Sequence, residues 1–392
     1  MRILFLSSWF PYPPNNGSKL RIYNLLRGLA RHHQVTLLSF ADQPHVDPEI
    51  PELRPLCDQV QVIPWKPFNP RSRQARLGFL SLTPRSIVDT FSSEMAGCIE
   101  ERVSSGDYDL VIASQWAMAS YGPCFQGLPA LLEEVEVGVP YEQFARATSL
   151  WRRFRYGLTW AKHRAYLARL LRHFKACTVV SEQERRLLSR AIPGYQAIEV
   201  VPNCINLVEY SDVRESPQAN SLIFTGSFRY FANHDAMTWF LQEVYPPIRA
   251  QVPEVRLTIT GDHAGRPLPA ADNVTLTGFV DDVRPLIASA WISLVPIRVG
   301  GGTRLKILEA MALGTPVVAT SKGAEGLDVQ DGEHILIADT PEAFARAVLR
   351  LLADPGLRSR LADNASKLVR DRYDWAAVMP GFLDLIERVA HA

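Results

Sequence analysis

The residues of this chain best placed to do chemistry lie between Val295 and Thr320, VPIRVGGGTRLKILEAMALGTPVVAT. Gly300, Gly301 and Gly302 lack Cβ, so the backbone there can take left-handed angles and come close to a ligand. Thr303 suits an N-cap, and Leu305, Leu308, Met311 and Ala312 then share one face at helical spacing. Gly314 stands where a C-terminal cap belongs and Pro316 stops any continuation, which sets the expected helix at Thr303–Leu313. Arg304 and Lys306 fall in its first turn, where the helix dipole disfavours each cation by roughly 0.3–1 kcal/mol. An anion on the free amides of a glycine loop offsets that cost, and two cations at one place suit a diphosphate. Glu309, somewhat under two turns from the cap, is placed to accept from sugar hydroxyls. The other reading of the same residues is a surface loop with Arg304 and Lys306 solvated and Glu309 paired to Lys306 at i,i+3.

The elements that must hold this stretch are strands alternating with helices. RILFLSS, a helical pattern from Ser18 to His32, and QVTLLSF arrive within the first forty residues, and QVQVIPW, DLVIAS, PALLEEVEV, ACTVVSE and IEVVPN follow. The apolar runs have the continuous character of buried parallel strands, so the rhythm implies a doubly wound α/β sheet. The rhythm breaks at VPNCINLVEY and the polar ESPQAN, then restarts with SLIFTGS, a helix near Asn233–Gln251, VRLTITG, VTLTGFV, a short helix near Asp282–Ala290, WISLVPI and HILIAD. Helices near 341–352 and 356–372 follow, and an amphipathic segment over 375–392 suits packing back on the first domain. The expected division is residues 1–204, 205–374 and that final helix.

At 392 residues, with 47% apolar and 21% charged residues, the chain suits two globular domains. Five scattered cysteines, without CxxC or Cys/His clustering, argue against structural zinc and for a reducing compartment, hence the cytoplasm. No run approaches the roughly 18 apolar residues of a membrane span, and MRILFLSSWF is too short for a signal peptide. Charge is uneven: residues 1–205 hold 24 Lys+Arg and 18 Asp+Glu, a net +6, and residues 206–392 hold 18 and 23, a net −5. From Gln143 to Ser181 there are seven Arg, two Lys and no acid, interleaved with Phe144, Trp151, Phe154, Tyr156, Trp160, Tyr166 and Phe174. An anionic membrane surface, a nucleic-acid face and a solvated helix with core aromatics all fit that composition.

The absent motifs narrow the chemistry. No GxGxxG follows the first strand, and GxxxxGK[ST], HExxH, GxSxG and any His cluster of metal-ligand spacing are missing. Phosphate binding by glycines, amides and cations remains. Asn16-Gly17-Ser18 heads the first helix much as Gly302-Thr303 heads the later one, so Gly17 and Ser18 offer a second anion contact.

The chain resembles the large retaining family four of GT-B glycosyltransferases over nearly its whole length. TVVSEQERRLL and VVPNCINLVEY resemble that family's run at the domain junction, FTGSFRYFANHDA the start of its second domain, and PIRVGGGTRLKILEAMALGTPVVAT its most specific motif, in the form common among envelope-polysaccharide sugar transferases. The resemblance implies two Rossmann-like domains with parallel sheets facing across a cleft, a nucleotide-sugar donor, a hydroxyl acceptor, and neither metal nor cofactor. Carried over by position, Glu309 accepts from the ribose, the Gly301, Gly302 and Thr303 amides meet the diphosphate, backbone at Gly278, Phe279 and Val280 borders the base, and Gly17 approaches the diphosphate or donor sugar.

Some positions depart from the family pattern. Gly301 stands where many members have a first glutamate, Ser227 where they have a basic residue, and the next lysine is replaced near Asn233. Arg304 and Lys306, with Arg229, then supply the cations. The first-domain histidine is missing, and Ser114-Gln115-Trp116 and Glu133–Glu136 occupy its region. The expected reaction is glycosyl transfer with retention, catalysed by Arg304 and Lys306 as charge develops on the leaving diphosphate. A sugar-nucleotide epimerase, a non-catalytic sugar-nucleotide-binding protein and an α/β oxidoreductase compete with it. The basic segment points to a lipid-linked acceptor and peripheral contact with the inner face of a membrane through residues 143–181, not to nucleic acid.

Overall fold

The computed structural model describes residues 1–41, 46–79, 81–302 and 304–392. Two compact units make up the chain, one of Met1–Pro202 with Met379–Ala392 and one of Asn203–Val378. The first holds a seven-stranded sheet in the order β3-β2-β1-β4-β5-β6-β7, built from β1 (Arg2–Ser7), β2 (Gln34–Ala41), β3 (Gln59–Pro64), β4 (Leu110–Ser114), β5 (Ala130–Glu133), β6 (Ala176–Val179) and β7 (Ile198–Val200). The second holds a six-stranded sheet in the order β10-β9-β8-β11-β12-β13, built from β8 (Ser221–Thr225), β9 (Arg256–Thr260), β10 (Val274–Gly278), β11 (Ile292–Val295), β12 (Val317–Ala319) and β13 (Leu336–Ile337).

Every pairing between these strands is parallel, with Ile3 opposite Val35 and Leu110 in one sheet and Leu222 opposite Leu257 and Ile292 in the other. Continuous apolar strands can bury both faces, and their side chains form the two cores. Each sheet starts in the middle, runs out to one edge and returns to run to the other. That leaves a topological switch point beside β1 and β4 in one unit and beside β8 and β11 in the other, where open α/β sheets take their ligands.

Several elements differ from expectation for local reasons. The helix expected at 18–32 runs over Gly17–Leu29, with Asn16 as its cap. The strand expected over PALLEEVEV stops at Glu133 because Glu134 turns to φ 59°. The single helix expected near 233–251 is three pieces, Phe231–Trp239, a π turn at Phe240–Val244 and Tyr245–Gln251. Pro246 and Pro247 lack the N–H that a continuous α-helix needs there. The helix in the glycine motif is Leu305–Ala312, shorter than expected, with Arg304 at the N-cap position; Thr303, expected there, lies outside the described residues.

Within the first unit the final segment lies on the first helix, since a Cβ on Gly28 would meet Met379, and Arg388 pairs with Glu199 at 3.3 Å. No helix among the described residues is long and apolar enough to cross a membrane.

One buried ion pair joins the elements of that unit. Arg21 donates from Nε to Glu133 Oε1 at 2.5 Å, and its other nitrogens reach the Val201 and Pro202 carbonyls at 3.0 and 2.9 Å. Ser114 donates to the second Glu133 oxygen at 2.9 Å, so both carboxylate oxygens are satisfied. Removing one partner of such a pair strands a charge in a dry interior. Glu133→Leu is therefore expected to lower the stability of the fold by about 3–5 kcal/mol, read from urea unfolding, and an unchanged midpoint would remove this pair's structural role.

Candidate functional site

The second unit's switch point lies at the ends of β8 and β11, with the glycine loop following β11. Gly226 follows β8 at φ 144°, and a Cβ there would lie 2.7 Å from Asn233 Nδ2 and 2.8 Å from Lys306 Nζ. Gly300 follows β11 at φ 92°, and a Cβ there would strike the Tyr230 hydroxyl at 2.0 Å. Glycine at these two positions is what allows the loops to close on the start of the Leu305–Ala312 helix.

Lys306 points inward. Its Nζ donates to the Thr225 carbonyl and, at 3.1 Å, to Asn233 Oδ1, and it sits 4.2 Å from the centre of the Phe224 ring. Asn233 is held in turn by donating to the Ser227 carbonyl at 2.8 Å. Burial, with the nearby Arg304 charge, pushes the Lys306 pKa down to about 7, while Glu309 acts in the opposite direction. Among the described residues this ammonium contacts neutral oxygens and a ring face, with the Glu309 carboxylate nearby but not bonded to it. An added anion would restore its charge.

Arg304 is buried but does something different from Lys306. Its guanidinium turns back on the loop, donating to the Gly301 carbonyl at 2.7 Å and the Gly300 carbonyl at 3.0 Å, while its Nε has no partner. It clamps the triple-glycine turn. The Gly301 and Gly302 N–H groups make no hydrogen bond among the described residues and remain donors for a ligand.

Glu309 is half-buried on the same helix, and Tyr210 donates its hydroxyl to Oε1 at 3.4 Å. Burial raises the pKa of the Glu309 carboxyl, opposed by the Lys306 charge, and raises that of Tyr210. Arg284, paired with Asp282 at 2.8 Å, lies 6.0 Å from the Tyr210 ring and donates to the Glu209 carbonyl. Among the described residues the solvated i,i+3 pairing of Lys306 with Glu309 does not form, because Lys306 turns to Thr225 and Asn233 and Glu309 takes the Tyr210 hydroxyl. Tyr210 and Arg284 carried no signal in the sequence, being 99 and 25 residues from Glu309 with no spacing to connect them.

The remaining predicted residues are spread around this centre. Arg229 forms an exposed ion pair with Asp262, with no bond to Lys306 or the glycine loop. Gly278, at φ 72°, ends β10 and accepts from the Gly261 N–H at 2.8 Å; Phe279 beside it is exposed and Val280 half-buried. In the first unit, Gly17 and Ser18 open their helix behind Asn16, which accepts from the Lys19 N–H at 3.0 Å. Where the family's histidine was sought, Gln115 (φ 68°) donates to Glu134 at 3.1 Å, and burial pushes the Glu134 carboxyl up to about 7.

Family models match two stretches of the chain, Glycosyl transferase 4-like domain over residues 16–204 and Glycosyl transferases group 1 over residues 219–354. A phosphatidyl-myo-inositol mannosyltransferase of Mycobacterium leprae is 30% identical over 227 residues, 54% of this chain and 58% of that protein. The chain thus spans about half the length of the curated relatives it matches. Among solved structures, a sucrose-phosphate synthase of Thermosynechococcus elongatus superposes with a TM-score of 0.71 at 20% identity, over 99% of both chains. HepE of Anabaena, solved with UDP-glucose, superposes at 0.68 and 15% identity over 99% of this chain and 100% of that one. With a parallel sheet in each unit and a glycine-headed helix at the second switch point, the chain belongs to the group 1, family-four-like glycosyltransferases and has the GT-B fold.

Proposed function

We propose that this transferase moves a sugar from a nucleoside-diphosphate sugar to a hydroxyl of a lipid-linked acceptor, with retention at the anomeric carbon, in assembly of a cell-envelope glycolipid or polysaccharide at the inner face of the membrane. The observation that carries the donor class is the half-buried Lys306 ammonium, hydrogen-bonded only to neutral oxygens among the described residues, beside glycine amides that have no partner among them, with the half-buried Glu309 carboxylate about one turn further along the same helix. A diphosphate fits the first and a ribose the second. The relatives support the rest of the reading: HepE was solved with UDP-glucose, and the mycobacterial relative is named for a phosphatidyl-myo-inositol acceptor.

In this reading Lys306 and the Gly301 and Gly302 amides stabilise the negative charge that grows on the leaving diphosphate. Arg304 keeps those amides aimed, Arg229 adds charge at the surface, Glu309 grips the ribose, and the Gly278–Val280 backbone borders the base. Front-face displacement with retention asks for no separate protein base, and activity is expected to survive chelation of divalent metals. A sugar-nucleotide epimerase would convert the donor without acceptor, so incubation with donor alone separates the two.

Three measurements test the assignment. Lys306→Met keeps the volume and removes the charge; kcat is expected to fall about 100-fold or more with a much smaller change in donor Kd, and equal turnover would end the role given to Lys306. The second is pH dependence. With Lys306 titrating near 7 in the free protein and higher beside an anion, donor binding takes up a proton above pH 7. Affinity for the nucleoside-diphosphate sugar, whose diphosphate has no proton to lose near neutrality, should be flat below that pH and weaken by up to about tenfold per pH unit above it, and calorimetry at pH 8 in buffers of different ionisation enthalpy should show the uptake. Lys306→Met should abolish it; the same uptake in the variant would sink the idea. Third, Tyr210→Phe removes the hydroxyl on Glu309, so donor KM should rise about fivefold with kcat nearly unchanged.

A further inference from the structure

The Gly138–Ala145 and Leu150–Leu170 helices of the first unit form a pair that stands away from its core. A Cβ on Gly157 would lie 3.1 Å from the Phe144 ring, so the two helices touch. The shorter one buries no residue, and the longer one buries only Tyr166, Leu167 and Leu170. Leu150 is 88% exposed, Trp151 72% and Phe154 67%, with Leu158 exposed beyond them. Leu150, Phe154, Leu158 and Lys162 recur every four residues and so share one stripe. Lys162 ends that stripe by donating to the Phe79 and Ser81 carbonyls at 2.9 and 3.1 Å, which brings a second apolar group alongside: Leu77, Phe79 and Leu82, all exposed.

The charges on this face are of one sign. Arg152, Arg153 and Arg155 lie among the aromatics, and no acid occurs from Gln143 to Ser181. The one acid of residues 65–91, Asp89, is fully buried and accepts from the Asn69 N–H at 2.7 Å and the Ser72 hydroxyl at 2.5 Å. Glu142 on the shorter helix is paired with Arg146 at 2.8 Å.

We propose that this face docks the first unit on an anionic phospholipid bilayer, with Leu150, Trp151, Phe154 and Leu82 entering the boundary between headgroups and acyl chains and the three arginines on lipid phosphates. Exposed apolar area of this kind marks an interaction surface, and guanidinium groups among large apolar side chains complement a layer that is anionic outside and hydrocarbon beneath. A second copy of the chain is a poor occupant, since a two-fold contact would bring the same arginines together. A nucleic-acid strand would use stacking faces, and Leu77, Leu82, Leu150 and Leu158 have none. The proposal rests on the placing of transfer at the inner face of a membrane and names the surface that docks there, but uses none of the residues given to the donor.

The test is flotation of the full chain with phosphatidylcholine vesicles, with and without phosphatidylglycerol. The protein should float only with the anionic vesicles and be released by salt. Reversing the charges in Arg152→Glu, Arg153→Glu and Arg155→Glu together should weaken partitioning roughly a hundredfold or more, at about a factor of five per cation removed. The pair Leu150→Asp and Phe154→Asp should abolish the blue shift of tryptophan emission on vesicle addition. All five positions are exposed, so thermal unfolding should be unchanged, as should transfer to a soluble acceptor. Failure of the wild type to float with anionic vesicles, equal flotation of the charge-reversed variant, or a face saturated by oligonucleotide or by self-association in place of lipid would each overturn the proposal. Loss of transfer with flotation intact would count against the transfer reading alone.

Discussion

The second unit depends on a half-buried cation that has no carboxylate in hydrogen-bond contact among the described residues. A carbonyl, a side-chain amide oxygen, the face of Phe224 and the nearby Glu309 charge favour the Lys306 proton, while desolvation and Arg304 bring its pKa down to about 7. The surrounding residues fit around that fact. Gly226 has no side chain because a Cβ would occupy the ammonium's place, Asn233 is aimed by Ser227, and Arg304 turns to the loop and leaves the glycine amides unoccupied. In the proposed reading, a site preorganised in this way would take an anion with little rearrangement, and the charge it would favour is the one that accumulates on a departing diphosphate.

That cation works because of where the sheet puts it. The same strand order recurs in both units, and in the second the switch point falls between β8 and β11. Thr225 closes one strand with the carbonyl that accepts from Lys306, and the glycine loop begins a few residues beyond Val295, which closes the other. The helix that follows enters with its amides toward the same point. Glu309, one turn beyond Lys306, is set by the helical repeat at the distance of a neighbouring group of the same ligand.

The sequence made the framework legible because parallel sheets leave a strong trace. Continuous apolar strands, helices between them and a broken rhythm near 201–220 are enough for the α/β class, and the triple glycine with its helix and stop signal marks the candidate site. Spacing does not say which carbonyl a cation will choose. Arg304 and Lys306 are two residues apart and looked equivalent, yet one clamps the loop and the other is buried against Thr225, 81 residues away. Tyr210 on Glu309 is a contact of the same long-range kind. Backbone that departs from residue preferences was also hidden: nothing in the letters of Gln115 or Glu134 announces φ of 68° and 59°.

The basic segment shows the same limit from another side. Its seven aromatics all have the composition of either a core or a surface, and the structure divides them along the chain. Tyr166 and Phe174 are buried in the first unit's core beside Trp116 and Phe125, whereas Trp151 and Phe154 stack on each other outside, 6.2 Å apart. The difference lies in the helix's neighbours: the last turns of Leu150–Leu170 pack on the first unit's core, and the first turns have only the Gly138–Ala145 helix, itself without a buried residue. Hydrophobic burial needs a second surface to exclude water, and the described residues supply none that covers Leu150, Trp151 and Phe154. Arginines among them keep that apolar surface soluble without covering it, so a face that the fold leaves open stays available to an external layer that is both oily and anionic.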